Sequence, residues 1–323
     1  MKRLLANRWP NQALELPGRR PSNHGRALRA ARSSTPDRSA ECNLDVERGT
    51  QQCHRLGAVS IREESVTQAE SLYDSPRLAA GYAYDRPPVH QRIIQRVREF
   101  LHITERLTRV LDVGCGAGLS TAALEPLAET VVGLEPVRAM LTHSRAVAPH
   151  SLFLVGQAER LPFAAGAFDL MTAAGSLNYA DRALFLPDAA RLLAPGGVLI
   201  IYDFSAGRRM RGGHQLAEWC AGFERRYPAP PGYALDVRSL AYSQSGLRLQ
   251  AYEELEIAVP MTLSTYLPYV LSETRVELAI SHGVPEAEIR SWCQSTLVDV
   301  FGETEREVLF AAYVAYVTCD GSA

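Results

Sequence analysis

The sequence predicts a doubly wound α/β fold on a mostly parallel sheet of seven strands. Three observations carry this. Five near-continuously apolar runs alternate with helical stretches between residues 108 and 204, a glycine-rich turn follows the first run, and two β-like runs occupy the C-terminal third. Strands that are apolar throughout suit a parallel sheet covered on both faces. The strand–helix alternation implies right-handed crossovers in an open sheet.

With 323 residues, 46% hydrophobic and 22% charged, the chain can build one large domain around its own core. The net charge of −2 favours neither nucleic acid nor a membrane surface. It is unevenly spread: residues 1–40 hold nine Lys/Arg and two Asp/Glu, a net of +7, which leaves −9 on the rest. Six cysteines (Cys42, Cys53, Cys115, Cys220, Cys293, Cys319) lie scattered without a C-x-x-C pair, which speaks against a zinc ribbon and for free thiols in a reducing compartment. No apolar run approaches the roughly 18 residues of a spanning helix. No metal ligand set is expected.

Residues 1–60 show no sustained periodicity. Arg19–Ser39 is rich in Arg, Ser, Gly and Pro, a composition that buries too little apolar surface to fold alone. A disordered basic tail is the expectation; an organellar transit peptide and an over-extended gene start stay open beside it. The expected location is otherwise cytoplasmic, and the folded domain is expected over 61–323. Glu63–Tyr84 reads as a helical lead-in. Pro87–Leu101 reads as an amphipathic helix with prolines in its first turn and Ile93, Ile94, Val97, Phe100 and Leu101 on one face.

The five strands follow as RVLDVG from Arg109, TVVGLE from Thr130, LFLVG from Leu152, FDLMTAAG from Phe168 and VLIIYDF from Val198. The Ala-Pro-Gly-Gly of 194–197 is expected to stop the last helix and turn the chain into the fifth strand. A helical insertion lies at about 205–235. Leu247–Val259 and Glu307–Thr318 then supply an antiparallel C-terminal hairpin.

Ligands of such sheets bind beyond the carboxyl ends of the strands, where the winding reverses. Here the first strand runs into Asp112-x-Gly114-Cys115-Gly116-x-Gly118, glycines at alternate positions that turn tightly and let a ligand approach bare backbone. A dinucleotide turn wants glycine at 119, which is Leu, and Asp112 would repel a pyrophosphate yet attract an ammonium group directly or through water. An adenosyl ligand with an amino-acid tail fits better. Glu135, ending the second strand 17 residues beyond Gly118, suits the two hydroxyls of a ribose. Gln157, Ala158 and Glu159 follow the third strand, within reach of an adenine edge, with Leu161, Pro162 and Phe163 as an apolar wall.

Together these stations resemble the class I S-adenosylmethionine-dependent methyltransferases, in the small-molecule branch that includes the ubiquinone/menaquinone-biosynthesis and trans-aconitate enzymes. The resemblance rests on Asp112–Gly118, Val132–Pro136, Gln157–Phe163, Phe168–Asp169 and Leu192–Leu199, with Tyr82–His90 upstream, and spans about Leu72–Thr318. It implies a Rossmann-like methyltransferase fold and S-adenosyl-L-methionine as cofactor. Asp112, Gly114, Cys115, Gly116 and Gly118 would lie at the methionine part, Glu135 and Pro136 at the ribose, Gln157, Ala158 and Glu159 at the adenine, and Ala173 and Ala174 under the transferred methyl. Where many relatives carry a His after strand four, this chain reads Gly175-Ser176-Leu177-Asn178-Tyr179, so that residue's role does not carry over.

Methyl transfer from a sulfonium is an in-line displacement with an activated leaving group, so positioning dominates and a base is needed only by some acceptors. The catalytic candidates are Tyr179, Asp203 and Tyr82, with Tyr84, Asn178 and Tyr202 as further polar neighbours. His90 reads as solvated or capping. Trp219, Phe223 and Tyr227 recur every four residues, as a seat for the insertion or a lid over an apolar acceptor. Arg208, Arg209 and Arg211 read as a solvated cluster or as attraction for an anionic acceptor. The expected partner is a small-molecule acceptor, not nucleic acid. The competing readings are an NAD(P)-dependent oxidoreductase and a cofactor-binding regulator without catalysis.

Overall fold

The computed structural model describes residues 72–230 and 235–320. The expected tail over 1–60, with Cys42 and Cys53, lies outside the described residues.

Helix α1 (Pro76–Tyr84) starts where Ser75 Oγ accepts from the Leu78 N–H at 3.3 Å, with Pro76 in the first turn. Helix α2 (Val89–Phe100) buries Val89, Ile93, Ile94 and Val97 on one face, with Pro87 and Pro88 just ahead of it. The alternating region then gives β1 (Leu107–Val113), α3 (Leu119–Leu124), β2 (Ala128–Glu135), α4 (Ser144–Val147), β3 (Leu152–Val155), β4 (Phe168–Ala174), α5 (Arg182–Leu192) and β5 (Leu193–Phe204). Next come β6 (Arg209–Met210), α6 (Gln215–Arg226), β7 (Leu247–Met261), α7 (Leu263–Leu271), α8 (Thr274–Ser281), α9 (Glu286–Phe301) and β8 (Arg306–Cys319).

The strands form one sheet of order β3-β2-β1-β4-β5-β8-β6, with β7 along β8. β1 to β5 pair in parallel, whereas β8 is antiparallel to β5, β6 and β7. β6 pairs with Val308 and Leu309, taking up the edge of β8 where β5 leaves off. This eighth strand lies inside the expected insertion and is two residues long, too short for any periodicity to announce it. The expected hairpin is the β7–β8 pair, in register from Leu247↔Cys319 to Met261↔Arg306, but α7, α8 and α9 connect its strands.

Both faces of the central strands β1, β4 and β5 are covered, which is why they read as continuous apolar runs, whereas the edge strand β3 leaves Leu152, Leu154 and Val155 exposed. Val110, Leu170 and Ile200 pack toward α2 and the C-terminal helices; their neighbours Leu111, Met171 and Ile201 pack with α5 on the other side. The Ala194–Gly197 stretch does not precede β5 but bulges within it. Phe168 pairs with Leu193 while Leu170 pairs with Val198, and a Cβ on Gly197 would stand 2.9 Å from the Ala194 carbonyl oxygen.

Trp219, Phe223 and Tyr227 are buried against α9, where Trp292 stacks on Trp219 and Phe223. The Trp219 indole donates to Thr296 Oγ1 at 2.7 Å. The stripe is a seat for the insertion. Arg208 is largely buried and paired with Glu273 and Glu224, whereas Arg209 and Arg211 are solvated and form exposed pairs with Glu256 and Glu307.

Candidate active site

β1 has β2 on one side and β4 on the other, so the winding reverses at β1. At the carboxyl ends of these strands lies a cavity of about 410 Å³. Its floor is the glycine turn. Gly114, Gly116 and Gly118 have φ of 70°, 53° and 96°, conformations that L side chains avoid. At Gly114 space forbids a side chain as well, because a Cβ there would lie 2.3 Å from Ser176 Cβ. The Gly114 and Cys115 N–H groups both donate to the Leu134 carbonyl, at 2.7 and 3.1 Å, which pins the turn to the end of β2.

Glu135 completes the clamp. Its Oε2 accepts from the Gly116 N–H and its Oε1 from the Val137 N–H, each at 3.0 Å. The carboxylate is 7% exposed and lines the cavity, and burial pushes its pKa up. An ionised carboxylate offers about four lone-pair sites, so capacity for two further donors remains.

Of the other expected cofactor residues, Cys115, Pro136, Gln157, Ala158, Glu159 and Ala174 line the cavity. Three do not. Asp112 is fully buried one layer behind the turn, accepting hydrogen bonds from Ser120, Thr121 and Thr172 at 2.6, 2.7 and 2.8 Å. It ties β1 to α3 and β4 and so braces the turn from behind; burial pushes its pKa up against the pull of those hydroxyls. Ala173 faces the core beside Leu111 and Met171, because adjacent strand residues point to opposite faces. Gly118 turns the chain into α3 and lies against Ser144 and Phe153.

All three catalytic candidates line the cavity. Tyr82 and Tyr73 pack edge to face, and the Tyr73 and Tyr179 hydroxyls lie 3.2 Å apart. Asp203 Oδ2 accepts from Asn178 Nδ2 at 3.2 Å, and burial pushes the Asp203 pKa up. Tyr84 instead points outward, 60% exposed and bonded to His143. Tyr202 is fully buried behind the wall.

His90 is neither solvated nor a cap. It lines the cavity, its Nδ1 lies 2.9 Å from the Tyr202 hydroxyl, and Phe204 meets its ring edge to face. Burial, with Arg86 adding to it, lowers its pKa from 6.5 to about 4, so the imidazole is neutral at physiological pH. Helical spacing held the signal, since residues 90, 94, 97 and 101 share a face and the last three are apolar. Arg86, which no local pattern marks, also lines the cavity wall, its guanidinium 3.9 Å from the Tyr82 ring centroid. The cavity thus has a bare-backbone floor with carboxylates at one end, and aromatic rings with Asn178, Asp203, His90 and Arg86 at the other.

Among the described residues, no group of three or more His, Cys, Asp or Glu is placed to hold a metal ion, and no helix is long and apolar enough to cross a membrane.

Residues 111–201 match a family model described as a methyltransferase domain. Over 91 residues the chain is 37% identical to an uncharacterised methyltransferase of Mycobacterium tuberculosis, covering 28% of this chain and 37% of that one. Over 98 residues it is 36% identical to the demethylmenaquinone methyltransferase of Beutenbergia cavernae, covering 30% and 41%. A longer match, 30% over 176 residues, reaches the phthiotriol/phenolphthiotriol dimycocerosates methyltransferase of Mycobacterium leprae and covers 53% and 61%. The chain therefore spans between 37% and 61% of the length of these curated relatives. Among solved structures, a candidate type II methyltransferase from Anaeromyxobacter dehalogenans shares the fold, with a TM-score of 0.51, 20% identity, and coverage of 73% of this chain and 98% of that one. Much of the cavity lining thus falls within residues 111–201, which match the methyltransferase-domain model, and the fold is one that a methyltransferase structure shares.

Proposed function

We propose that the chain is an S-adenosylmethionine-dependent methyltransferase that moves a methyl group to a small-molecule acceptor, with its domain extending over 61–323. The observation that carries this is the Glu135 clamp. One carboxylate holds the Gly116 N–H at the cavity floor and keeps acceptor capacity for the paired hydroxyls of a ribose.

The residues present fit the cofactor. Gly114 and Gly116 offer bare main chain to an amino-acid tail, and Gln157, Ala158 and Glu159 flank the place of an adenine edge. Tyr73 and Tyr179 add aromatic surface that favours a cation, while the guanidinium of Arg86 lies over the Tyr82 ring. A pyrophosphate fits worse, since Glu135 and Glu159 line the same wall and Leu119 stands where a dinucleotide turn has glycine.

When bound, S-adenosylmethionine supplies a methyl group on a sulfonium that is already an activated leaving group. The chain's own task is alignment and exclusion of water, which the aromatic wall and the buried floor support. Where the acceptor must lose a proton, Asp203 and Tyr179 face the cavity to take or relay it, with Asn178 orienting the Asp203 carboxylate. The −9 charge on residues 41–323 supports a small molecule over nucleic acid. The free thiols Cys115, Cys220, Cys293 and Cys319 support a cytoplasmic location.

Calorimetric titration with S-adenosylhomocysteine and NADH in parallel tests the reading. Binding of the first but not the second is expected, with Glu135→Ala and Gly116→Val each losing it. NADH binding alone, or variants that bind S-adenosylhomocysteine as wild type does, would refute it.

A further inference from the structure

One group in the cavity is left without a counterpart. Arg86 is the sole lysine or arginine among the described residues that line it. Its guanidinium is sandwiched toward Tyr82 and Tyr269, with centroid distances of 3.9 and 5.4 Å, and its Nη2 donates to the Ser272 carbonyl at 3.0 Å. Its Nε is buried with no hydrogen-bond partner. Three other part-buried arginines are matched: Arg208 and Arg275 share Glu273, and Arg77 in α1 holds Glu277. Arg86 forms no ion pair with any described residue, and Glu273 is already taken. A cation with a buried, unpartnered Nε, held only by a carbonyl and two rings, is costly unless an anion joins it.

We propose that the methyl acceptor carries a carboxylate and that Arg86 receives it. This rests on the methyltransferase reading and names the acceptor's chemical class. A guanidinium presents a planar fork that matches a carboxylate and tolerates stacking on aromatic faces. The surroundings agree with an acid that has a flat apolar body. Tyr82, Phe204 and Tyr179 supply ring surface, and His90 beside Arg86 is neutral and competes for no anion. Arg86 is braced by Ser272 and Tyr269 at the end of α7, in the C-terminal helices.

The test is calorimetry on the full chain, in wild type, Arg86→Gln and Arg86→Lys. Each is titrated first with S-adenosylhomocysteine and with methylthioadenosine, which lacks the amino-acid tail. The S-adenosylhomocysteine-saturated proteins then receive benzoate and cinnamate, against benzamide and cinnamamide. The expected result is a preference of about tenfold or more for the acids in wild type, the size of one charge-assisted hydrogen bond. That preference is abolished in Arg86→Gln and partly kept in Arg86→Lys, with S-adenosylhomocysteine affinity unchanged throughout, which also shows that the variants fold. Absence of acid binding or acid preference in wild type, or its persistence in Arg86→Gln, overturns the proposal. So does loss of S-adenosylhomocysteine affinity in Arg86→Gln with methylthioadenosine unaffected, since Arg86 then serves the cofactor's own carboxylate. Failure of wild type to bind S-adenosylhomocysteine is a separate result and refutes the methyltransferase reading itself.

Discussion

Replacing His90 by glutamine isolates the cost of charging a group enclosed in the cavity wall. The folded imidazole has a pKa of about 4 against 6.5 for the unperturbed group, first through burial and then through Arg86. Between those values the unfolded chain binds the proton more tightly. Stability is therefore fully present above pH 6.5 and is lost as pH falls toward 4. Integrating the proton uptake from about pH 7.5 to about pH 5 gives a loss of about 2 kcal/mol from this one residue. Glutamine keeps a polar atom near the Tyr202 hydroxyl but carries no titrating proton. Urea denaturation followed by circular dichroism at both pH values, for wild type and His90→Gln, reads the difference of differences, in which the contributions of other carboxylates and histidines cancel. The wild type is expected to lose about 2 kcal/mol more than the variant. Equal losses in the two proteins would refute the reasoning and place His90 in contact with bulk water.

Asp112→Ala strips three hydroxyls of their acceptor and should cost about 3 kcal/mol in urea unfolding, relief of the buried charge offsetting part of the loss. Asp112→Asn should cost less, because a hydroxyl can rotate to accept from the new amide. Trp219→Ala should destabilise by about 3–5 kcal/mol while S-adenosylhomocysteine affinity in calorimetry stays unchanged; the reverse pattern would make the stripe a lid. Gly114→Ala combines a φ of 70° with a Cβ driven against Ser176, and should cut S-adenosylhomocysteine affinity about tenfold or more. Adding Ser176→Gly removes the clash but not the backbone strain, so calorimetry should show partial recovery.

Much of the fold was legible because the central strands are buried on both faces, although the edge strand β3 is apolar and exposed. The runs ending in Val113, Glu135, Val155, Ala174 and Phe204 could hardly be anything but parallel strands once helical stretches separated them. β6 was not legible, since two residues show no period. Nor was the bulge at Ala194–Gly197: a Pro-Gly-Gly run reads as a turn, and only the pairing of Leu193 and Val198 with β4 draws it into the strand. In the site, Gly114, Gly116 and Glu135 announced themselves through spacing. Asp112 was assigned to a ligand although its partners Ser120 and Thr121 stood eight and nine residues on, and Thr172 sixty residues away. No local pattern tells a carboxylate that holds hydroxyls behind a wall from one that faces a cavity.

The sequence by itself determined the backbone plan: parallel strands, a turn open to glycine alone, and an acid at the end of the second strand. These follow from local sterics and from apolar periodicity, which act over a few residues. Only the tertiary structure decided which of two adjacent alanines, Ala173 or Ala174, meets the cavity, and which arginines are spent on Glu224, Glu256, Glu273 and Glu307 while Arg86 keeps its charge inward. Those outcomes depend on strand register and on partners 16 to 96 residues apart, where charge and space are settled between elements and not within them.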